Sequence, residues 1–148
     1  MTQIGFTQPG AAYPPVTTAS WYSRLPPEFC RVGISRGRPR RQSGYLMYSD
    51  LAPGPWFRSV DEADYIARYS AILAELDPHA VALTLAQRSG GRPVALLCYE
   101  RAGTSDGWCH RSLVARWLSE GLGTCVPEFG YEELPIGQHP LLPPILMA

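Results

Sequence analysis

The sequence predicts a small three-layer α/β domain, Rossmann-like, with a short parallel sheet, and three observations carry that prediction. The run Val94-Ala-Leu-Leu-Cys98 is continuously apolar over the length of one strand, as in a strand buried on both faces of a parallel sheet. Two segments on either side of it carry apolar residues at helical spacing. The order strand, two helices, strand, helix, strand is the alternation that builds a parallel sheet with helices on its faces. A chain of 148 residues is the size of one domain, so residues 1–148 are read as one unit. Proline-rich coverings are expected at 1–30 and 135–148.

Residues 31–35, Arg-Val-Gly-Ile-Ser, give the first strand, which stops where Gly37 and Pro39 begin a loop. Ser59 with Glu62 is a capping-box pattern, and Ala63, Ile66, Tyr69, Leu73 and Leu76 follow at helical spacing, predicting a helix over 60–76. Asp77 before Pro78 restarts the chain as N-cap and first helical residue, so a second helix runs over 78–88 and closes at Gly90 and Gly91. Residues 93–99 form the central strand. After a polar loop, Leu113, Val114, Trp117 and Leu118 make one apolar stripe, with Arg111, Arg116 and Glu120 outside and Gly121 as the stop. Residues 124–126 read as a last short strand.

Composition excludes several classes. With 45% hydrophobic and 18% charged residues the chain is too apolar for disorder, and no run of 18 apolar residues offers a membrane span. Residues 1–18 carry no basic residue and no apolar signal core, so a cytoplasmic location is expected. All 13 basic residues are Arg. Net charge is zero, but residues 1–58 carry seven Arg against Glu28 and Asp50, while residues 59–148 carry six Arg against eleven acids. That asymmetry argues for one local positive patch around Arg36, Arg38, Arg40 and Arg41 instead of a basic coat. The apolar tail 141–148 is expected to pack on its own domain or on a second subunit.

Ligands of open parallel sheets bind beyond the carboxyl ends of the strands. Three segments should meet there: 35–41, then 98–101 with 109–111, and 127–129. Cys98, Glu100, Cys109, His110 and Arg111 fall within fourteen residues. At a helix N-terminus the free amide groups and the dipole stabilise a thiolate, so Cys109, next to His110 and Arg111, is expected to be acidified and to act as nucleophile. Cys98 taken alone reads more readily as a core residue. Ser35, Arg36 and Arg38 offer anion contacts, with Tyr45, Tyr48, Trp56 and Phe57 as stacking candidates. Glu100 suits proton transfer or the orientation of His110, with Glu128 a second carboxylate in the same region. Four cysteines without a C-x-x-C pair do not form a known compact zinc motif, and no disulfide is expected. His79 and His139 read as surface residues. The P-loop, G-x-G-x-x-G, G-x-S-x-G and H-E-x-x-H patterns are all absent.

The stretch Val94-Ala-Leu-Leu-Cys-Tyr-Glu100, followed by Cys109-His-Arg111, resembles the signature of the bacterial family called domain of unknown function 488. Ile34-Ser-Arg-Gly37 with Pro39, then Gly44-Tyr45 and Leu51-Ala-Pro53, resembles the N-terminal half of that family's short members. The similarity runs over about residues 31–120 and leaves the proline-rich ends outside. It implies a compact α/β fold, an intracellular location, and a site at Ser35, Arg36, Cys98, Glu100, Cys109, His110 and Arg111. It implies no reaction.

The residues favour an enzyme, a hydrolase or group transferase, acting on a phosphorylated or nucleotide-like substrate. In that reading Cys109, His110 and Glu100 do the chemistry, while Ser35, Arg36, Arg38, Arg111, Cys98 and Tyr45 hold the substrate. No cofactor is identifiable and no metal is assigned. Two alternatives stay open: a non-catalytic nucleic-acid-binding module using residues 36–41, and a metal-binding or redox-sensing thiol protein.

Overall fold

The computed structural model describes residues 13–135 and 137–147. The part of the expected N-terminal covering at 1–12, and Ile136 and Ala148 of the C-terminal one, lie outside the described residues. Four parallel strands form one sheet: β1 (Val16–Ser20), β2 (Cys30–Gly33), β3 (Tyr45–Met47) and β4 (Val94–Cys98), in the order β1-β4-β2-β3. The expected central strand β4 is interior, pairing Leu96 with Thr18 on one side and with Val32 on the other. All five of its residues are buried, which is why the run is apolar without alternation.

Three helices follow the predicted spacing: α1 (Glu62–Ala74), α2 (Pro78–Ser89) and α3 (His110–Leu122). The N-cap of α1 is Asp61, whose side chain accepts from the Asp64 N–H at 2.8 Å, in place of the expected Ser59, whose hydroxyl bonds the Trp56 carbonyl. Asp77 caps α2 as expected, and Gly90 closes it in the left-handed conformation. Gly121 does not end α3. It lies within the helix against Pro78, where a β-carbon would collide, and Gly123 (φ 68°) is the stop.

Side chains alternate across each strand, so the sheet has two distinct faces. Val16, Cys30, Val32, Val94 and Leu96 share one core with Tyr65 and Tyr69 of α1, Val81 and Leu85 of α2, and Val114 and Leu118 of α3. All three helices thus cover one face. The other face, Ala19, Ala95 and Leu97, is covered by Trp21, Leu25 and Phe29 of the β1–β2 crossover, together with Phe129. The expected layers are therefore helices, sheet and irregular aromatic chain, with no helix among the described residues on the second face. Gly33 lets the Trp21 ring lie directly on the sheet, since a β-carbon there would strike it.

Two strands fall where none was expected. Residues 16–20 form β1 inside the segment read as a covering, and residues 45–47 form β3 inside the segment read as loop. Residues 124–126 are not a strand; the chain touches the sheet by a single bridge between Thr18 and Glu128. In the tail Leu141 and Leu142 are buried on the same chain, while Ile145 and Met147 are exposed. No helix of the described residues is long and apolar enough to cross a membrane.

Candidate active site

The strand ends and the start of α3 converge as parallel-sheet geometry demands. Cys98 closes β4, Ile34 and Ser35 follow β2, and His110 opens α3. Between them lies a cavity of about 480 Å³, bounded by Ser35, Arg36, Cys98, Glu100, Cys109 and His110. Tyr65, Phe57, Arg58 and Trp108 also line it.

His110 is the pivot. Its Nε2–H donates to the Ile34 carbonyl at 2.8 Å, and a carbonyl can only accept, so this bond assigns the proton to Nε2. In the neutral ring the Nδ1 lone pair is left facing two thiols, Cys98 Sγ at 3.6 Å and Cys109 Sγ at 3.9 Å. Tyr69 packs edge-on against the imidazole with ring centroids 5.3 Å apart, and its hydroxyl is anchored on the Leu51 carbonyl at 2.6 Å. The ring is held from both sides. Cys98 Sγ also lies 3.6 Å from Glu100 Oε1.

Cys109 is the N-cap of α3, with the Arg111 N–H and Nη1 each 3.5 Å from its sulfur. Its expected acidification does not follow. Burial pushes the Cys109 thiol well up and the neighbouring Cys98 adds to this, outweighing the downward pull of His110. A helix N-terminus favours a thiolate, but removing the group from water costs more. Burial, then the adjacent Cys109, Cys98 and Glu100, likewise push up the phenol of Tyr65, which stands in the cavity wall as a neutral hydroxyl.

Arg111 does not face the cavity, nor does it lie on the outer face of α3. It is fully buried and bound side-on to Glu128, with Nε 3.0 Å from Oε1 and Nη2 2.8 Å from Oε2. Thr18 Oγ1 donates to Glu128 Oε1 at 2.8 Å, and His139 Nε2 lies 3.3 Å from the same oxygen. His139, expected at the surface, is buried within this network, its Nε2 2.7 Å from Thr18 Oγ1 and its Nδ1 accepting the Leu141 N–H at 3.1 Å. The Leu141 carbonyl in turn accepts the Cys109 N–H at 3.0 Å, tying residues 128–141 to the start of α3. Burial alone would raise the Glu128 carboxyl, but hydrogen bonds from His139 and Arg111 hold it below its ordinary value.

Of the remaining expected site residues, Ser35 and Arg36 reach the cavity. The Ser35 hydroxyl is already occupied, accepting from Trp21 Nε1 at 3.0 Å and donating to the Gly37 carbonyl at 2.7 Å. Arg36 is exposed, and its Nη1 is steadied on the Pro53 carbonyl at 3.1 Å. Arg38 is exposed outside the cavity wall. Tyr45 packs edge-on against Trp21 at 4.9 Å on the face of the sheet away from the helices, so it does not join the site. Arg58, stacked over Phe57 at 5.0 Å, supplies a second cation that the sequence did not single out.

A model of the active DUF488-N3 subclade matches residues 16–122, from the first residue of β1 to the last of α3. No curated protein and no solved structure matches the chain. The matched span holds Cys98, Glu100, Cys109, His110 and Arg111, and leaves Glu128 and His139 beyond its end. The chain belongs to the DUF488 family.

Proposed function

We propose that this protein is a hydrolase or group transferase that uses a thiol nucleophile on a phosphorylated or nucleotide-like substrate. The observation that carries the reading is the assigned tautomer of His110, which turns a basic Nδ1 toward the Cys98 thiol at the floor of an open cavity. A nucleophile, a base and a group that orients the base are the parts such chemistry requires. Cys98 suits the attacking role better than Cys109: it lies nearer Nδ1, whereas Cys109 is engaged by two N–H groups of Arg111.

In the first step the Cys98 S–H proton passes to His110 Nδ1 while sulfur bonds to the electrophilic phosphorus or carbon. The bond to the leaving group breaks, and the leaving atom takes the proton back from Nδ1. In the second step water, or an acceptor hydroxyl, attacks the phosphorus or carbon of the covalent S-linked intermediate. Its proton goes to Nδ1 or Glu100, and the sulfur leaves and is reprotonated. Arg36 and Arg58 suit the substrate's anion, and Phe57 and Trp108 offer flat apolar surface for a ring. Arg111 takes no part in substrate binding here, because its Nε and Nη2 are committed to Glu128 and its Nη1 lies 3.5 Å from Cys109 Sγ.

The test is alkylation with iodoacetamide at neutral pH, resolved by site with mass spectrometry, in the wild type, Cys98→Ser and Cys109→Ser. The exposed Cys125 serves as a reference thiol within the same molecule. Cys98 is expected to react faster than Cys125 despite its burial, and to keep that advantage in Cys109→Ser. A Cys98 slower than Cys125 in both proteins overturns the reading.

A further inference from the structure

We propose that Cys98, Cys109 and His110 also form a zinc site, and that zinc bound there silences the thiol chemistry. Among the described residues these three are a group of potential ligands whose donor atoms all lie within 4.8 Å of one another. Their separations suit one tetrahedral ion. With Zn–S near 2.3 Å and Zn–N near 2.05 Å, tetrahedral geometry places sulfur and nitrogen about 3.6 Å apart and two sulfurs about 3.8 Å apart. His110 Nδ1 lies 3.6 Å from Cys98 Sγ and 3.9 Å from Cys109 Sγ.

The surroundings of the trio are those of a ligand set. A metal-bound histidine almost always donates its other ring N–H to a carbonyl or carboxylate, which fixes the ring and raises its basicity. The His110 Nε2–H bond to the Ile34 carbonyl at 2.8 Å is that contact. The ligands also come from rigid pieces, the end of an interior strand and the first turn of a helix, and the N-cap amide of Cys109 is pinned on Leu141. Two thiolates and a neutral imidazole balance the charge of a divalent ion and are soft enough to prefer zinc over magnesium or calcium. Three protein ligands leave a fourth position free, and all three residues line the cavity together with Glu100.

The consequence for activity rests on the reading given above. Zinc takes the sulfur lone pair that attacks and the nitrogen lone pair that accepts the proton, so the ion and the substrate reaction exclude each other. Binding releases the two thiol protons, and a chelator reverses it.

The experiment uses the full chain, reduced and then stripped with EDTA, and titrates it with cobalt(II) as a spectroscopic stand-in and with zinc. One cobalt per chain should bind with a thiolate-to-cobalt charge-transfer band in the near ultraviolet. The band should vanish in Cys98→Ser and in Cys109→Ser and persist in Cys125→Ser, with circular dichroism establishing that each variant is folded. One equivalent of zinc should slow alkylation of Cys98 by about tenfold or more, because the bound thiolate is no longer a free nucleophile, and EDTA should restore it. Absence of the band in the wild type, or a band that persists in Cys98→Ser or in Cys109→Ser, overturns the zinc site while leaving the thiol reading intact. A band together with a slow Cys98 in the metal-free protein upholds the zinc site and sinks the thiol reading instead.

Discussion

His110 and Arg111 are consecutive, both buried, and both at the start of α3, yet they serve opposite ends. His110 leaves one ring nitrogen facing two thiols beside a cavity. Arg111 has Nε and Nη2 locked on Glu128, which Thr18 and His139 also approach, and its Nη1 turned to Cys109 Sγ, so every arm of its guanidinium ends on the protein. No buried side-chain nitrogen or oxygen among the described residues lacks a partner, and the hydrogen bonds of the Arg111 cluster are internal to the protein. A buried polar cluster can therefore be either a tool or a girder. What separates the two is whether one lone pair has been left facing a thiol beside a cavity.

The sharpest break in this comparison comes from Glu128. Glu128→Ala strands the Arg111 cation in a buried site, and breaking such a pair costs about 3–5 kcal/mol, read from urea unfolding midpoints. A cost under about 1 kcal/mol would show that the pair does not hold the fold together.

Acid probes the same pair without mutation. The folded Glu128 carboxyl is held below its ordinary value, so its contribution is complete above the unfolded pKa and is lost as pH falls through the folded one. Stability should therefore decline below about pH 4.5. In Glu128→Gln that part of the acid dependence should disappear from unfolding curves measured across the range.

Arg36 and Arg58 sharpen the contrast from the open side. The double change Arg36→Ala, Arg58→Ala should weaken binding of a nucleoside monophosphate by about tenfold or more, since charge-assisted bonds contribute about 1.5–3 kcal/mol each. Unfolding should move by no more than about 0.5 kcal/mol, because both side chains lie at the surface of the cavity. Calorimetric titration and chemical unfolding read the two effects separately. Smallest of all is Glu100→Gln, which removes a charge that closes no network and should leave stability within about 0.5 kcal/mol of the wild type.

The two regions were not equally legible in the sequence. Cys98, Glu100, Cys109 and His110 stand out because strand and helix signals place them at converging ends, and topology does the rest. Arg111 belongs to the same short motif, but its role depends on Glu128, which is seventeen residues away and outside any periodic element. β1 was hidden for a related reason. Val16-Thr-Thr-Ala-Ser20 offers little apolar pattern, and its buried Thr18 and Ser20 hydroxyls are satisfied by Glu128, His139 and the Tyr99 carbonyl, all remote in the chain. The helices were plain because their signals are local: Asp77 and Pro78 at a start, Gly90 at a stop, apolar residues at regular spacing between. Tyr65 and Trp108 escaped notice since an aromatic residue in a cavity wall has the same spacing as one in a core.

The measurement that bears most directly on the account is the alkylation rate of Cys98 relative to Cys125 in His110→Gln, on metal-free protein. Glutamine keeps a polar side chain but removes the basic nitrogen, and loss of a positioned base typically costs about 10²–10⁴ in rate. Cys98 is expected to lose its advantage over Cys125 while the fold persists. A Cys98 that reacts as fast without His110 as with it would contradict the claim that this histidine makes the buried thiol a nucleophile.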